Sequence, residues 1–279
     1  MPELLIAGGL TVDQFADGAR APGGSVLHAG LAAAAEGARP AFLTVSGAEP
    51  EARTGLDRLR ALGELIHVAA ERTTAYRHDE SGPRRVLVLE ARGGRIDPGS
   101  VAGLPRAEIA LLAPIADELP ASDIEALRRA VAPRLTVMLI QGWLRHLVVG
   151  EPVRPLALDE VAQPLWEAFA DADAIVVSTE DLADGNGDPF AQAAALRARL
   201  GPRPLLVLTL GPEGYLLDDP RADTIVASVP RAVVEGVPMV GAGDTFGAVL
   251  ALHLQRGQPP AAAAAAATER VIAVLEARR

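Results

Sequence analysis

Cysteine is missing from this sequence. Disulfides, cysteine-ligated zinc, iron–sulfur clusters and thiol nucleophiles are therefore excluded. Lysine is missing too, so all 26 strongly basic side chains are arginine. Schiff-base chemistry and P-loop phosphate binding both require a lysine, and neither is open to this chain. Asparagine occurs once, at Asn186, and aromatic residues make up only 3%. The formal net charge is −10, against the clustered basic charge that nucleic-acid binding needs. No apolar run approaches the roughly 18 residues of a membrane helix. The stretch Met1–Leu10 has neither the basic n-region nor the long apolar core of a secretory signal. The expectation is a soluble cytoplasmic protein with no nucleic-acid and no membrane partner.

What is present suffices for a large core. The chain has 279 residues, of which 49% are hydrophobic, and its charges are of mixed sign, unlike a disordered chain. Leu4–Ala7 is a short apolar run closed by Gly8-Gly9 and reads as a buried strand. Pro22-Gly23-Gly24 is a turn signal ahead of an alanine-rich helix running to about Glu36, and a strand at Ala41–Val45 and a helix at Pro50–Leu62 follow. Leu65–Ala69, Thr73–Arg77 and Arg85–Glu90 have strand patterning with a turn at Ser81-Gly82-Pro83 and no helix between them. They predict a small antiparallel sheet apart from the main one. From Ile109 on, strands at Ile109–Ala113, Leu135–Ile140, Ala174–Val177 and Leu205–Leu210 alternate with helices at Ser122–Val131, Asp159–Asp171 and Phe190–Leu200. That alternation predicts βαβ units and a parallel sheet covered by helices on both faces. Tyr215–Leu217 and Thr224–Val229 read as a terminal antiparallel pair, and helices from about Gly243 to Gln255 and from Pro260 to Ala277 follow.

The segment richest in chemistry is Val240-Gly241-Ala242-Gly243-Asp244-Thr245-Phe246-Gly247. A glycine-rich loop opens directly into a helix. Small residues let backbone N–H groups approach an anion, and the helix N-terminus adds partial positive charge. Asp244 falls in the first helical turn. An acid there stabilises the helix dipole, or serves as a base beside the anion site; spacing alone leaves both open. A dinucleotide fingerprint fits badly, because no strand follows the helix.

These residues resemble the C-terminal signature of the PfkB, or ribokinase-like, carbohydrate kinases. Gly8-Gly9 with Asp13, and Pro22-Gly23-Gly24-Ser25 opening a helix, resemble that family's sugar-binding motifs. Thr209-Leu210-Gly211-Pro212-Glu213-Gly214 resembles its turn near the nucleotide phosphates. A narrower similarity runs through Arg72–Tyr76, Arg84-Arg85, Ile96-Asp97-Pro98, Leu112-Ala113-Pro114 and Gln141-Gly142-Trp143-Leu144-Arg145. It is to the branch containing plant myo-inositol kinases and uncharacterised bacterial sugar kinases.

The resemblance implies one ribokinase-like domain over residues 1–279, a three-layer α/β/α sandwich with a mainly parallel sheet. A β-sheet lid would come from segments near 10–17 and 65–91 and would pair two subunits into a homodimer. The implied reaction moves the γ-phosphoryl group of ATP to a sugar or polyol hydroxyl. Asp244 is then the base, and the N–H groups of Gly241, Ala242 and Gly243 form the anion hole. Asp13, Gly23, Gly24, His28, Tyr76 and Arg145 would bind the acceptor or the transferred phosphate. Thr209, Gly211 and Gly214 would bind the nucleotide, and Asp181 with Glu180 would hold Mg²⁺. For three of these the residues alone leave another reading: Tyr76 as a packed strand aromatic, Arg145 as a solvated loop cation, His28 as a side chain packed on its helix.

Several positions depart from the family pattern. Pro238-Met239 stands where an Asp-Thr pair usually precedes the loop, in a region that helps relatives hold a monovalent cation. His28 replaces an asparagine, Ser178-Thr179-Glu180-Asp181 replaces Asn-x-x-Glu, and Ala261–Thr268 lacks the asparagine often found near the adenine. A nucleoside kinase of the same fold, or a weakly active sugar or nucleoside sensor, are the alternatives. Trp143 and Phe15 are the aromatics that a stacked base would need.

Overall fold

The structure, a computed structural model, describes residues 2–79, 86–97, 99, 103–185, 187–234 and 236–279. The turn expected at Ser81-Gly82-Pro83, the Arg84-Arg85 pair, Pro98 and Asn186 lie outside the described residues.

The chain begins with β1 (Leu4–Ala7), β2 (Thr11–Gln14), β3 (Arg20–Gly23), α1 (Ser25–Ala35), β4 (Pro40–Ser46), α2 (Pro50–Leu62) and β5 (Glu64–Ala69). It continues with β6 (Thr74–Asp79), β7 (Val86–Ala91), β8 (Ile109–Leu112), α3 (Ala121–Val131), β9 (Leu135–Leu139), β10 (Arg145–His146) and β11 (Arg154–Pro155). It ends with α4 (Gln163–Ala170), β12 (Ala174–Ser178), α5 (Pro189–Leu200), β13 (Leu205–Thr209), β14 (Tyr215–Asp219), β15 (Thr224–Ser228), α6 (Ala242–Gln255) and α7 (Pro260–Glu276).

Nine strands form the main sheet in the order β15-β14-β13-β12-β9-β8-β1-β4-β5. It is parallel from β13 to β5, and β14 and β15 are added antiparallel. Continuous apolar runs suit strands buried on both faces. In β1, Leu4 and Ile6 face one core, against Val26 and Leu27 of α1, Leu59 of α2 and Val249 of α6. Leu5 and Ala7 face the other, with Ile124 of α3, Trp166 of α4 and Leu196 of α5. The ribokinase-like three-layer arrangement is borne out.

The second core holds an aromatic cluster. Phe169 is fully buried, with ring centroids 5.3 Å from Trp143 and 5.6 Å from Trp166. Phe169→Ala is expected to lower stability by about 3–5 kcal/mol, because it removes the buried ring and leaves a cavity. Urea unfolding checks this as a fall in the midpoint with little change in slope.

The smaller sheet differs from expectation. Its order is β3-β2-β6-β7, and β2 pairs with β6 in parallel. It is mixed, not antiparallel. Leu65–Ala69 is not part of it: β5 pairs in parallel with β4 at the edge of the main sheet. The physical reason is α2, a crossover of 13 residues that makes β4-α2-β5 a βαβ unit of its own. The helix expected at Asp159 starts at Gln163, with Pro164 in its first turn. Residues 22 and 23, expected in a turn, belong to β3.

Chain direction across the sheet reverses at β1, which has β4 on one side and β8 on the other. In open α/β sheets, ligands bind outside the carboxyl ends of the strands at such a switch point. Among the described residues, no helix is long and apolar enough to cross a membrane.

Candidate active site

Two cavities meet above this switch point. The larger, about 520 Å³, runs over the carboxyl ends of β12 and β13 to the start of α6 and the inner face of α7. Much of its wall is apolar, including Val176, Val233, Met239, Phe246, Val271 and Ile272. The smaller, about 70 Å³, is more polar, with Thr11, Asp13, His28, Tyr76 and His78 among its walls. Gln141, Arg145, Gly241 and Asp244 line both.

Asp244 is buried, at 6% exposure, in the first turn of α6. Its Oδ1 accepts from Gln141 Nε2 at 3.0 Å, and the same amide nitrogen donates to Ser25 Oγ at 2.9 Å. Gln141 thus ties the N-termini of α1 and α6 together and leaves Asp244 Oδ2 without a donor among the described residues. Neither helix has a side-chain N-cap, so first-turn N–H groups stay available for a ligand. Gly241 sits at φ 78°, a conformation that glycine adopts freely. A Cβ there would also run into the His28 ring. Gly24, which precedes α1, has φ 96° and backs onto the Gly9 carbonyl.

One expectation is corrected here. The Ala242 N–H donates to Met239 O at 3.1 Å, closing a turn, so it is not a free donor of the anion hole. The N–H groups of Gly241 and Gly243 have no backbone acceptor among the described residues.

Arg145 is not a solvated loop cation. Its side chain is 11% exposed. Nη1 donates to Ile115 O at 2.9 Å, and Nη2 lies 3.6 Å from Asp181 Oδ1. Burial opposes its charge, but Asp181, Tyr76 and Asp244 nearby outweigh burial and push its pKa up. Burial holds the Asp181 carboxyl above its usual value, against the pull of Arg145. The Tyr76 hydroxyl also donates to Ile115 O, at 2.9 Å, and burial pushes its pKa up to about 12. It is a neutral donor packed beside the site.

In the small cavity, Asp13 Oδ1 accepts from Thr11 Oγ1 at 3.0 Å, and Oδ2 lies 3.7 Å from His78 Nε2. Both ring nitrogens of His78 and Nε2 of His28 are buried without hydrogen-bond partners. Burial keeps His28 below the usual imidazole pKa despite Asp244 and Asp13. Gly23 lines neither cavity. Its place, opposite Thr11 on β2, leaves room for the Asp13 carboxylate, which a Cβ would strike. Ala242, Gly243, Thr209, Gly211, Gly214, Glu180 and Asp181 all line the larger cavity.

Sequence reasoning gave no role to four participants: Gln141 and Ser25, named only within longer motifs, and His78 and Glu118, not singled out at all. Glu118 is buried and accepts from the N–H groups of Gly9 at 2.6 Å, Ile115 at 2.7 Å and Ala116 at 2.8 Å. It therefore holds both loops of the switch point, including the Ile115 carbonyl that receives Tyr76 and Arg145. Burial raises its pKa, against those three donors. Glu118→Gln sets an NH₂ group against a backbone N–H, and is expected to lower stability by about 1–3 kcal/mol, read from the thermal midpoint. Trp143 points the other way: its indole N–H donates to Leu119 O within the core. Phe15 stacks on His78 with centroids 5.0 Å apart. Neither ring lines a cavity.

The comparisons agree with this fold. The fold is ribokinase-like, as in solved structures covering nearly the whole chain. One is titled a pyrophosphate-dependent kinase in the ribokinase family complexed with a pyrophosphate analog and myo-inositol: 18% identity, TM-score 0.76, 95% of this chain and 92% of that one. Another is a fructokinase double mutant from Vibrio cholerae O395 in fructose, ADP and potassium ion bound form: 21% identity, TM-score 0.74, 97% and 90% covered. A third is a ribokinase from Thermotoga maritima, with 16% identity, TM-score 0.69, and 99% and 100% covered. Residues 149–273 match the family model described as pfkB family carbohydrate kinase. That stretch holds Ser178–Asp181, Thr209–Gly214 and Gly241–Asp244. Among curated proteins, nothing matches the sequence.

Proposed function

We propose that this protein is a carbohydrate kinase of the pfkB type that transfers the γ-phosphoryl group of ATP to a hydroxyl of a sugar or small polyol, with an inositol-like ring among the candidate acceptors. The observation that carries this is the position of Asp244, buried where a large, partly apolar cleft meets a small polar pocket. The apolar wall around Val233, Val271 and Ile272 suits a flat base. Arg145 is the one cationic side chain among the residues named for either cavity, and it already faces Asp181. A bare pyrophosphate would find little else to neutralise it. The small pocket, with Asp13 and two unpartnered imidazoles, suits hydroxyl groups more than a stacked nucleobase.

In this reading the acceptor hydroxyl gives its proton to Asp244 and its oxygen bonds to the γ-phosphorus. The bond to the bridging oxygen breaks and ADP leaves. Gln141 holds the carboxylate in place, and the Gly241 and Gly243 N–H groups face the charge on the transferring oxygens. No group of three acids or histidines able to hold a metal occurs among the described residues. Mg²⁺ commonly takes one or two protein carboxylates and completes its shell with phosphate and water. Asp181 and Glu180 in the cleft fit that use. When bound with the donor, the ion would neutralise phosphate charge.

The test is acceptor-dependent release of ADP from Mg·ATP. The panel holds myo-inositol, ribose, fructose, 2-keto-3-deoxygluconate, adenosine and cytidine, with pyrophosphate as a rival donor. A signal from one sugar or polyol with ATP is expected. Turnover with pyrophosphate alone, or with a nucleoside alone, would replace the donor or the acceptor class.

A further inference from the structure

Beyond α7 the chain brings Arg278 back to the loop ahead of α6. Its Nη1 donates to Pro238 O at 2.7 Å and to Val240 O at 2.8 Å. Two carbonyl oxygens converging on one point repel each other unless positive charge lies between them. Converging backbone carbonyls are also the donor set that proteins use for hard monovalent cations. Here a guanidinium occupies it. No carboxylate lies within ion-pair distance of Arg278 among the described residues, so its charge is not locally cancelled. That charge reaches the acceptor pocket: it is among the influences that lower the pKa of His28.

The contact bears on the anion loop through covalent geometry. The Val240 carbonyl and the Gly241 N–H are opposite ends of one planar peptide. Drawing the oxygen toward Arg278 turns the Gly241 N–H the other way, and Gly241 lines both cavities.

We propose that Arg278 is a built-in cation of the phosphoryl-transfer site, a positioning residue that fixes the Val240–Gly241 peptide and makes an added monovalent cation unnecessary. This rests on the reading above that the loop receives the donor phosphates. Replacing potassium by tetramethylammonium is expected to change wild-type turnover by less than about twofold. Arg278→Met is expected to lose about tenfold in kcat with little change in acceptor KM. Potassium or millimolar guanidinium restores part of the loss. Arg278→Gln keeps a hydrogen-bond donor without the charge and is expected to resemble Arg278→Met.

Strong stimulation of the wild type by potassium overturns the proposal. So does full turnover of either variant without small cations, or a loss that neither ion relieves. Hydrogen exchange at the Ala242 amide, which donates to Met239 O in the turn that Arg278 braces, reads the same contact without turnover. It is expected to quicken in Arg278→Gln and to slow again with potassium. An unchanged rate refutes the proposal, whereas absent turnover in the wild type with an intact exchange response refutes only the kinase reading of the loop.

Discussion

Asp244→Asn is expected to abolish most acceptor-dependent turnover, by about 10²- to 10⁴-fold, the range of general-base contributions. The fold should not register the change. The asparagine carbonyl oxygen can still accept from Gln141 Nε2, so the tie between α1 and α6 persists. What disappears is an oxygen able to take the hydroxyl proton. An unchanged melting midpoint with wild-type kcat would return Asp244 to the role of a helix-dipole partner.

Gly243→Val makes the second large change, for a different reason. Gly243 is exposed at the mouth of the loop, and a Cβ there meets nothing within 4 Å. The variant should therefore fold, and a β-branched residue costs an early helical turn no more than glycine does. A phosphoryl oxygen, however, must come to about 3 Å from the loop N–H groups, and two methyls stand in that path. Turnover should fall by about 10²- to 10³-fold, as when an oxyanion donor is lost. Normal turnover at an unchanged midpoint would remove the loop from the mechanism. Gly241 could not serve for this test, since a Cβ there strikes His28 and φ is 78°.

The parallel half of the molecule was legible because continuous apolar runs and helical stretches alternate from Ile109 onward. The smaller sheet was harder. Four-residue β2 and β3 carry no alternation that marks them as strands, and the Pro22-Gly23 pair inside β3 reads as a turn signal. Glu64–Ala69 reads equally well as an edge strand of either sheet, and only the docking of α2 decides between them. At the site, the local motif placed Asp244 and its loop, because a helix start is a local event. Gln141, Glu118 and Arg278 act across long stretches of sequence on backbone or carboxylate atoms, and spacing does not record such contacts. The free-donor reading of Ala242 failed for a similar reason: a turn from Met239 claims its N–H.

The pairing of β2 with β6 also sets an order of assembly. These strands are parallel, and the chain between them includes β3, α1, β4, α2 and β5. Loop closure over so long a stretch is unfavourable until the intervening units have docked. The smaller sheet is therefore a late acquisition of the folding chain, and Tyr76 and His78 arrive with it. The small cavity therefore gains its Tyr76 and His78 walls only after the β4-α2-β5 unit has docked on the main sheet.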